Sequence, residues 1–139
     1  MSFAGWFYCD EGYISWTPIF SKSNDETFGQ YNLEIMGNDI NVQFGEDKIT
    51  FNYDFKEKKW NFIAFSWDGE KIIFYVDAIR IGQEAMRGKL KVNDMPLEIG
   101  RHTPGNTEYL NGRLDDLRFY NKALTEKEIV ALFNEGKIR

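Results

Sequence analysis

Three aromatic residues sit where a flat ring could meet solvent. Tyr13 and Trp16 lie in the stretch 11–17 beside Gly12 and Ser15, and Tyr109 closes the polar stretch 101–108. A ring of this kind can stack on the apolar face of a pyranose, while neighbouring polar groups meet its hydroxyls. These are the candidate ligand-binding residues. The competing assignment folds each ring back on the core, as most large aromatics do. Asp115 and Asp116 are hard oxygen donors of the kind calcium takes, but calcium needs about six to eight oxygens. Neighbours on a regular strand also point to opposite faces. The simpler assignment pairs one carboxylate with Arg113 or Arg118 and leaves the other at a bulge. His102 stands alone in a polar loop, and a titratable group without a positioned partner is a weak catalyst. Cys9 is the only cysteine, in an apolar strand pattern, which reads as a small core residue. No Gly-x-Ser-x-Gly, phosphate loop or cysteine–histidine constellation is present beyond Cys9 and His102. No catalytic residue is assigned.

The elements that must position these residues are mostly strands. Apolar alternation and turn residues mark segments over 3–9, 18–22, 28–36, 40–44, 48–53, 59–67, 71–76, 79–82, 96–100 and 109–120. Gly37-Asn38-Asp39, Gly45-Glu46-Asp47 and Asp68-Gly69 are hairpin turns by spacing. The segment 59–67 is apolar on both faces, which predicts a central strand covered on both sides. It puts Trp60 in the core, together with Trp6 and Phe62. The stretch 83–94 carries no strand pattern and is expected to be a long crossing loop. Leu117 and Phe119 share a strand face, and Leu114 falls out of phase unless a bulge near Asp115-Asp116 restores it. The chain then enters a short helix. Thr125 is the N-cap and Glu128 completes a capping box. Leu124 and Ile129 are placed as a staple. Ile129, Leu132 and Phe133 form one apolar face, and Gly136 is expected to supply a left-handed stop. A helix of two to three turns is marginal alone, so it must dock.

The 139 residues fit one domain over 1–139. Aromatics make up 17%, which favours strands and stacking surfaces. A net charge of −5 and a pI of about 4.9 argue against a general nucleic-acid grip, which needs clustered basic residues. One cysteine excludes an intrachain disulfide. No apolar run of about 18 residues exists, so no membrane span is expected, and no signal-peptide pattern is present. Strands at spacings of about eight to twelve residues predict an all-β sandwich or barrel.

An ordered set of segments carries a family resemblance. It runs Phe3-Ala-Gly-Trp6, Pro18-Ile-Phe-Ser-Lys22, Lys59-Trp-Asn-Phe-Ile-Ala-Phe-Ser-Trp-Asp-Gly69, Ile73-Phe-Tyr-Val-Asp77, Leu97-Glu-Ile-Gly100 and Asn111-Gly-Arg-Leu-Asp-Asp-Leu-Arg-Phe-Tyr120. Together these resemble the laminin-G-like jelly rolls of the concanavalin A-like lectin/glucanase superfamily. The resemblance implies an all-β jelly-roll β-sandwich of two antiparallel sheets, here with one short C-terminal helix. Two departures stand out. Asp77-Ala78 replaces the family's usual Asp-Gly, which leaves the turn type open. The chain also starts almost at the strand 3–9, where relatives usually have a further strand before it, so a sheet edge there is expected to be exposed, borrowed or covered.

The resemblance also frames function. The glucanase branch uses Glu-x-Asp-x-x-Glu or a related spacing on one strand face, so that one carboxylate attacks while another protonates. That cluster is missing here. Many relatives bind a structural calcium through an Asp and loop carbonyls, for which Asp115, Asp116 and the loop acids Asp10, Glu11, Asp25 and Glu26 are the donors at hand; no cofactor is assigned. The expectation is a non-catalytic binding module for carbohydrate. The alternative is a structural or adhesion domain of a virion or cell-surface protein that binds protein and no sugar. Expected partners are a glycan or protein ligand, no nucleic acid, and a second copy through an exposed sheet edge. The expected location is extracellular, cell-surface or virion-associated.

Overall fold

Every strand expectation has its counterpart in a pleated ladder, and the ladders form two sheets. The computed structural model describes residues 1–10, 16–23, 30–90, 92–102 and 109–138. The strands are β1 (Ser2–Cys9), β2 (Thr17–Lys22), β3 (Tyr31–Met36), β4 (Asp39–Phe44), β5 (Asp47–Asn52), β6 (Trp60–Trp67), β7 (Lys71–Val76), β8 (Ile79–Ala85), β9 (Glu98–Ile99) and β10 (Gly112–Tyr120). Helix α1 (Glu126–Gly136) follows. One sheet has the order β10-β1-β6-β7-β8 and the other β5-β4-β3-β2-β9, with antiparallel pairing between neighbours.

The period of two decides which side chains meet between the sheets. Phe3, Phe7, Ile63, Phe65 and Phe74 face Phe20, Leu33, Ile35, Val42 and Phe44, all buried in one cluster. Each such side chain contributes about 1.5–3 kcal/mol when fully buried. The alternate residues of the first sheet form a second apolar cluster, with Ala4, Trp6, Phe62, Ala64 and Tyr75 packed against Leu124 and Ile129. Strand β6 is therefore covered on both faces, as its composition predicts.

The bulge near Asp115-Asp116 is present. Ala4 pairs with Arg118 and Trp6 with Asp115, so Asp116 and Leu117 together oppose Gly5. Asp116 takes φ +54°, and Leu114 and Leu117 both pack on the inter-sheet core. A Cβ on Gly5 would lie 2.5 Å from Leu117 Cδ2, so a side chain there would push the Leu117 side chain out of its present position. The Asp77-Ala78 turn has φ +49° and +62°, the two positive values of a type I′ hairpin. Alanine thus holds a left-handed position that glycine would occupy without strain.

Four expectations change. Strand β8 runs on through Ala85, so the crossing segment starts later than residue 83. Strand β1 lies between β10 and β6, and β10 forms the sheet edge. The edge foreseen at 3–9 is therefore filled from within the chain. Tyr109 forms only an isolated bridge with Arg101, and the closing strand starts at Gly112. Helix α1 includes Gly136, which is buried, and its C-cap is Lys137 at φ −70°, ψ −10°. The stop is right-handed, and Gly136 serves as a buried position where no side chain has to fit.

The N-terminal end of α1 matches its sequence closely. The Glu128 N–H donates to the Thr125 hydroxyl at 3.3 Å, and Glu128 Oε2 accepts from the Thr125 N–H at 2.8 Å. Two buried serines of the sheet tie down the lead-in. Ser2 Oγ donates to the Lys122 carbonyl and accepts from the Leu124 N–H, and Ser66 Oγ donates to the Leu124 carbonyl. No helix among the described residues is long and apolar enough to cross a membrane.

Candidate functional site on the outer face of the second sheet

On β3 and β4 the residues that alternate with Leu33, Ile35 and Val42 should face water. Glu34, Asn32 and Asn41 do point away from the core, yet all three are buried. Glu34 is 6% exposed. A carboxylate withdrawn this far from water is costly unless it is hydrogen-bonded or paired. Its partners converge from three directions. Trp16 Nε1 donates to Oε2 at 3.1 Å, and His102 Nε2 lies 3.4 Å from the same oxygen. Asn41 Nδ2 donates to Oε1 at 3.4 Å, and Lys48 Nζ stands 3.9 Å from it. Thr50 Oγ1 in turn donates to Asn41 Oδ1 at 2.8 Å.

Glu34 therefore holds two rings at the rim of the sheet. The Trp16 and His102 rings meet edge to face, with centroids 5.5 Å apart and planes at 73°. Beside them the Arg101 guanidinium lies 5.6 Å from the centre of the Tyr109 ring, and Arg101 Nη1 is 4.0 Å from Glu98. Tyr109 is 58% exposed. Because Arg101 touches Tyr109 and its neighbour His102 touches Trp16, two of the three candidate aromatics share one rim. Tyr13 lies outside the described residues. Asn32 Oδ1 and Arg101 Nε are buried without a hydrogen-bond partner among the described residues. Such atoms are the ones a polar ligand or water can satisfy.

The sequence did not reveal Glu34. A lone carboxylate between Leu33 and Ile35 has the pattern of an ordinary solvated position. His102 reads as isolated because its partner is 68 residues away in the chain; only the pairing of β3 with β2, and the path from β9 onto the same rim, brings them together.

The acidic pair at the bulge has a different role. The Arg118 Nε donates to Asp116 Oδ1 at 2.9 Å and its Nη2 to Oδ2 at 3.1 Å, while Nη1 reaches Glu135 at 2.9 Å. These acceptors hold the guanidinium pKa above its usual value, Asp116 contributing most. Both Asp116 oxygens thus serve to fasten α1 to the bulge. Among the described residues, no three His, Cys, Asp or Glu side chains converge as a metal site. Cys9 is buried, and burial first, then Glu57 and Asp10, pushes its thiol pKa up, away from nucleophilic use.

The outer face of the first sheet corrects one further expectation. Trp6 and Phe62 are buried, but Trp60 is only half-buried. It forms a wall of a 440 Å³ groove where α1 ends, together with Tyr8 and Phe133. The helix is too short to cover the end of the β6 ladder.

Comparison with known proteins agrees with this architecture. The family model described as the concanavalin A-like lectin/glucanases superfamily matches residues 1–130. Adhesion G-protein coupled receptor V1 of Danio rerio is 26% identical over 131 residues, 84% of this chain and 2% of that one. Among solved structures, a candidate carbohydrate-binding protein of Bacteroides ovatus superposes with a TM-score of 0.76 at 15% identity, over 93% of this chain and 39% of that one. Domain 4 of an extracellular arabinanase of Geobacillus stearothermophilus, solved with arabinotriose, gives a TM-score of 0.74 at 16% identity, over 94% of this chain and 65% of that one. The chain thus spans under two thirds of each of these relatives.

Proposed function

This chain belongs to the concanavalin A-like lectin/glucanase superfamily, and from that premise we propose that it is a non-catalytic module that binds glycans on the outer face of β2–β5. The observation that supports this most is the buried Glu34, which fixes Trp16 and His102 beside the exposed Tyr109. Preset aromatic faces next to unsatisfied polar atoms suit a pyranose, whose apolar face stacks while its hydroxyls seek partners. Among the described residues the acids of this rim are already engaged, Glu34 by Trp16, Asn41 and His102 and Glu98 by Arg101, which supports a binding role over the two-carboxylate chemistry of glycoside hydrolysis. The arabinotriose held by one similar structure, and the description of another as a candidate carbohydrate-binding protein, lend support. An extracellular or cell-surface location, or one on a virion, goes with this reading.

A glycan array probed with the parent protein, Trp16→Ala and Tyr109→Ala tests it. Binding to a glycan set by the parent, lost in both variants, is the expected result. An array on which all three proteins bind alike, or none binds, would remove the proposal. A second reading, adhesion to a protein, is favoured by the relative in an adhesion receptor and by the exposed Ile99 on the edge strand β9. It predicts self-association or partner capture that an Ile99→Lys change abolishes, checked by light scattering.

A further inference from the structure

The groove on the opposite outer face has its own chemistry. Its floor and walls are aromatic: Tyr8 and Trp60 meet edge to face at 5.6 Å, and Phe133 stacks on Trp6 at 5.5 Å. Its rim carries Lys58, Lys59 and Lys137 against the single acid Asp77. The Lys59 ammonium lies 3.2 Å from Asp77, and all three lysines are exposed. Arg113 stands over the Tyr8 ring at 4.8 Å, a fourth cation nearby that is paired with Asp10 at 3.4 Å. This is a positive patch on a chain whose net charge is −5. The volume of 440 Å³ falls within the roughly 300–1,000 Å³ of small-ligand sites.

We propose that this groove is a second binding site, for a saccharide that carries a carboxylate, of the hexuronate type. The half-exposed Trp60 ring takes the hydrocarbon face of the sugar, and the lysines take the carboxylate. An acidic peptide fits less well. Peptides dock best where main-chain groups are free to pair, and the floor strands β1 and β6 spend theirs on each other. The site does not depend on the Glu34 face, since Trp60 and Trp16 lie on opposite outer faces of the sandwich.

Calorimetry with trigalacturonate tests the proposal, with maltotriose and a hexaglutamate peptide as controls. Trigalacturonate should bind at least about tenfold tighter than either control, and its affinity should fall as salt rises. The double change Lys58→Glu and Lys137→Glu alters exposed residues only and should weaken binding by about tenfold or more with an unchanged melt. Tyr109→Ala, on the other face, should leave it as it was. Equal binding of maltotriose or hexaglutamate, no binding at millimolar concentration, or indifference to the lysine reversals would overturn the site. Loss in Tyr109→Ala alone would assign the ligand to the Glu34 face and overturn it as well.

Discussion

The two outer faces of the sandwich follow the same alternation and reach opposite solutions. On β1 and β6 the outward residues are Ala4, Trp6, Phe62 and Ala64, and α1 buries them. On β3, β4 and β5 the outward row is Glu34, Asn41 and Thr50, linked side chain to side chain. The first face is closed by hydrophobic burial, which is non-directional and tolerates a sliding helix. The second is closed by hydrogen bonds to one buried carboxylate, which demand fixed geometry. A surface that must present ligand groups in a set orientation therefore gains more from the second arrangement. The first face supplies stability, and its end at Trp60 is left half-exposed.

The sharpest way to break this contrast is to loosen the helix. Ile129 is fully buried under it, so Ile129→Ala should cost about 2–5 kcal/mol in urea melts. A loss near zero would mean that α1 is not docked and the two faces are not different in kind. Next comes Glu34→Ala, which leaves the Trp16 indole N–H and the Asn41 amide without their acceptor. It should cost about 1–3 kcal/mol and weaken any glycan binding further than its stability loss accounts for. A protein with unaltered melt and binding would show that Glu34 positions nothing.

The cap separates local from tertiary stabilisation within the first face. Thr125→Ala should cost about 1 kcal/mol. Glu128 in the same box has its carboxyl held down at about 2, chiefly by Lys122 and then by the Thr125 N–H and hydroxyl. Its folded value lies below its unfolded value, so its contribution is complete above pH about 4.5 and fades as pH falls toward about 2. Acid melts of Glu128→Gln should therefore converge on those of the parent at the low end of this window. Parallel curves across the window would assign the pH dependence elsewhere. The smallest expected effect concerns calcium at Asp115 or Asp116. Chelator should leave the melting temperature unchanged, because Arg118 already occupies both Asp116 oxygens. A drop reversed by added calcium would reveal a folded-state ligand.

Local physics made much of this molecule legible before any coordinates. The capping box needs only residues three apart, the bulge announces itself through the phase of Leu114, and β6 declares its two covered faces by composition. These are short-range or periodic signals, so the chain carries them openly. One cysteine also ruled out an intrachain disulfide, the strand spacing pointed to an all-β sandwich or barrel, and the family resemblance implied two antiparallel sheets. What it could not carry is which distant groups meet. Glu34 looks solvated until Trp16, just before β2, and His102, just after β9, arrive beside it. Trp60 looks internal until the length of α1 leaves its end of the ladder uncovered. The place of β1 inside its sheet depends on a partner more than a hundred residues away, as the Ser2–Tyr120 register shows. Burial, charge pairing and ring contacts at that separation are set by how the sheets pack, and only the tertiary structure decides them.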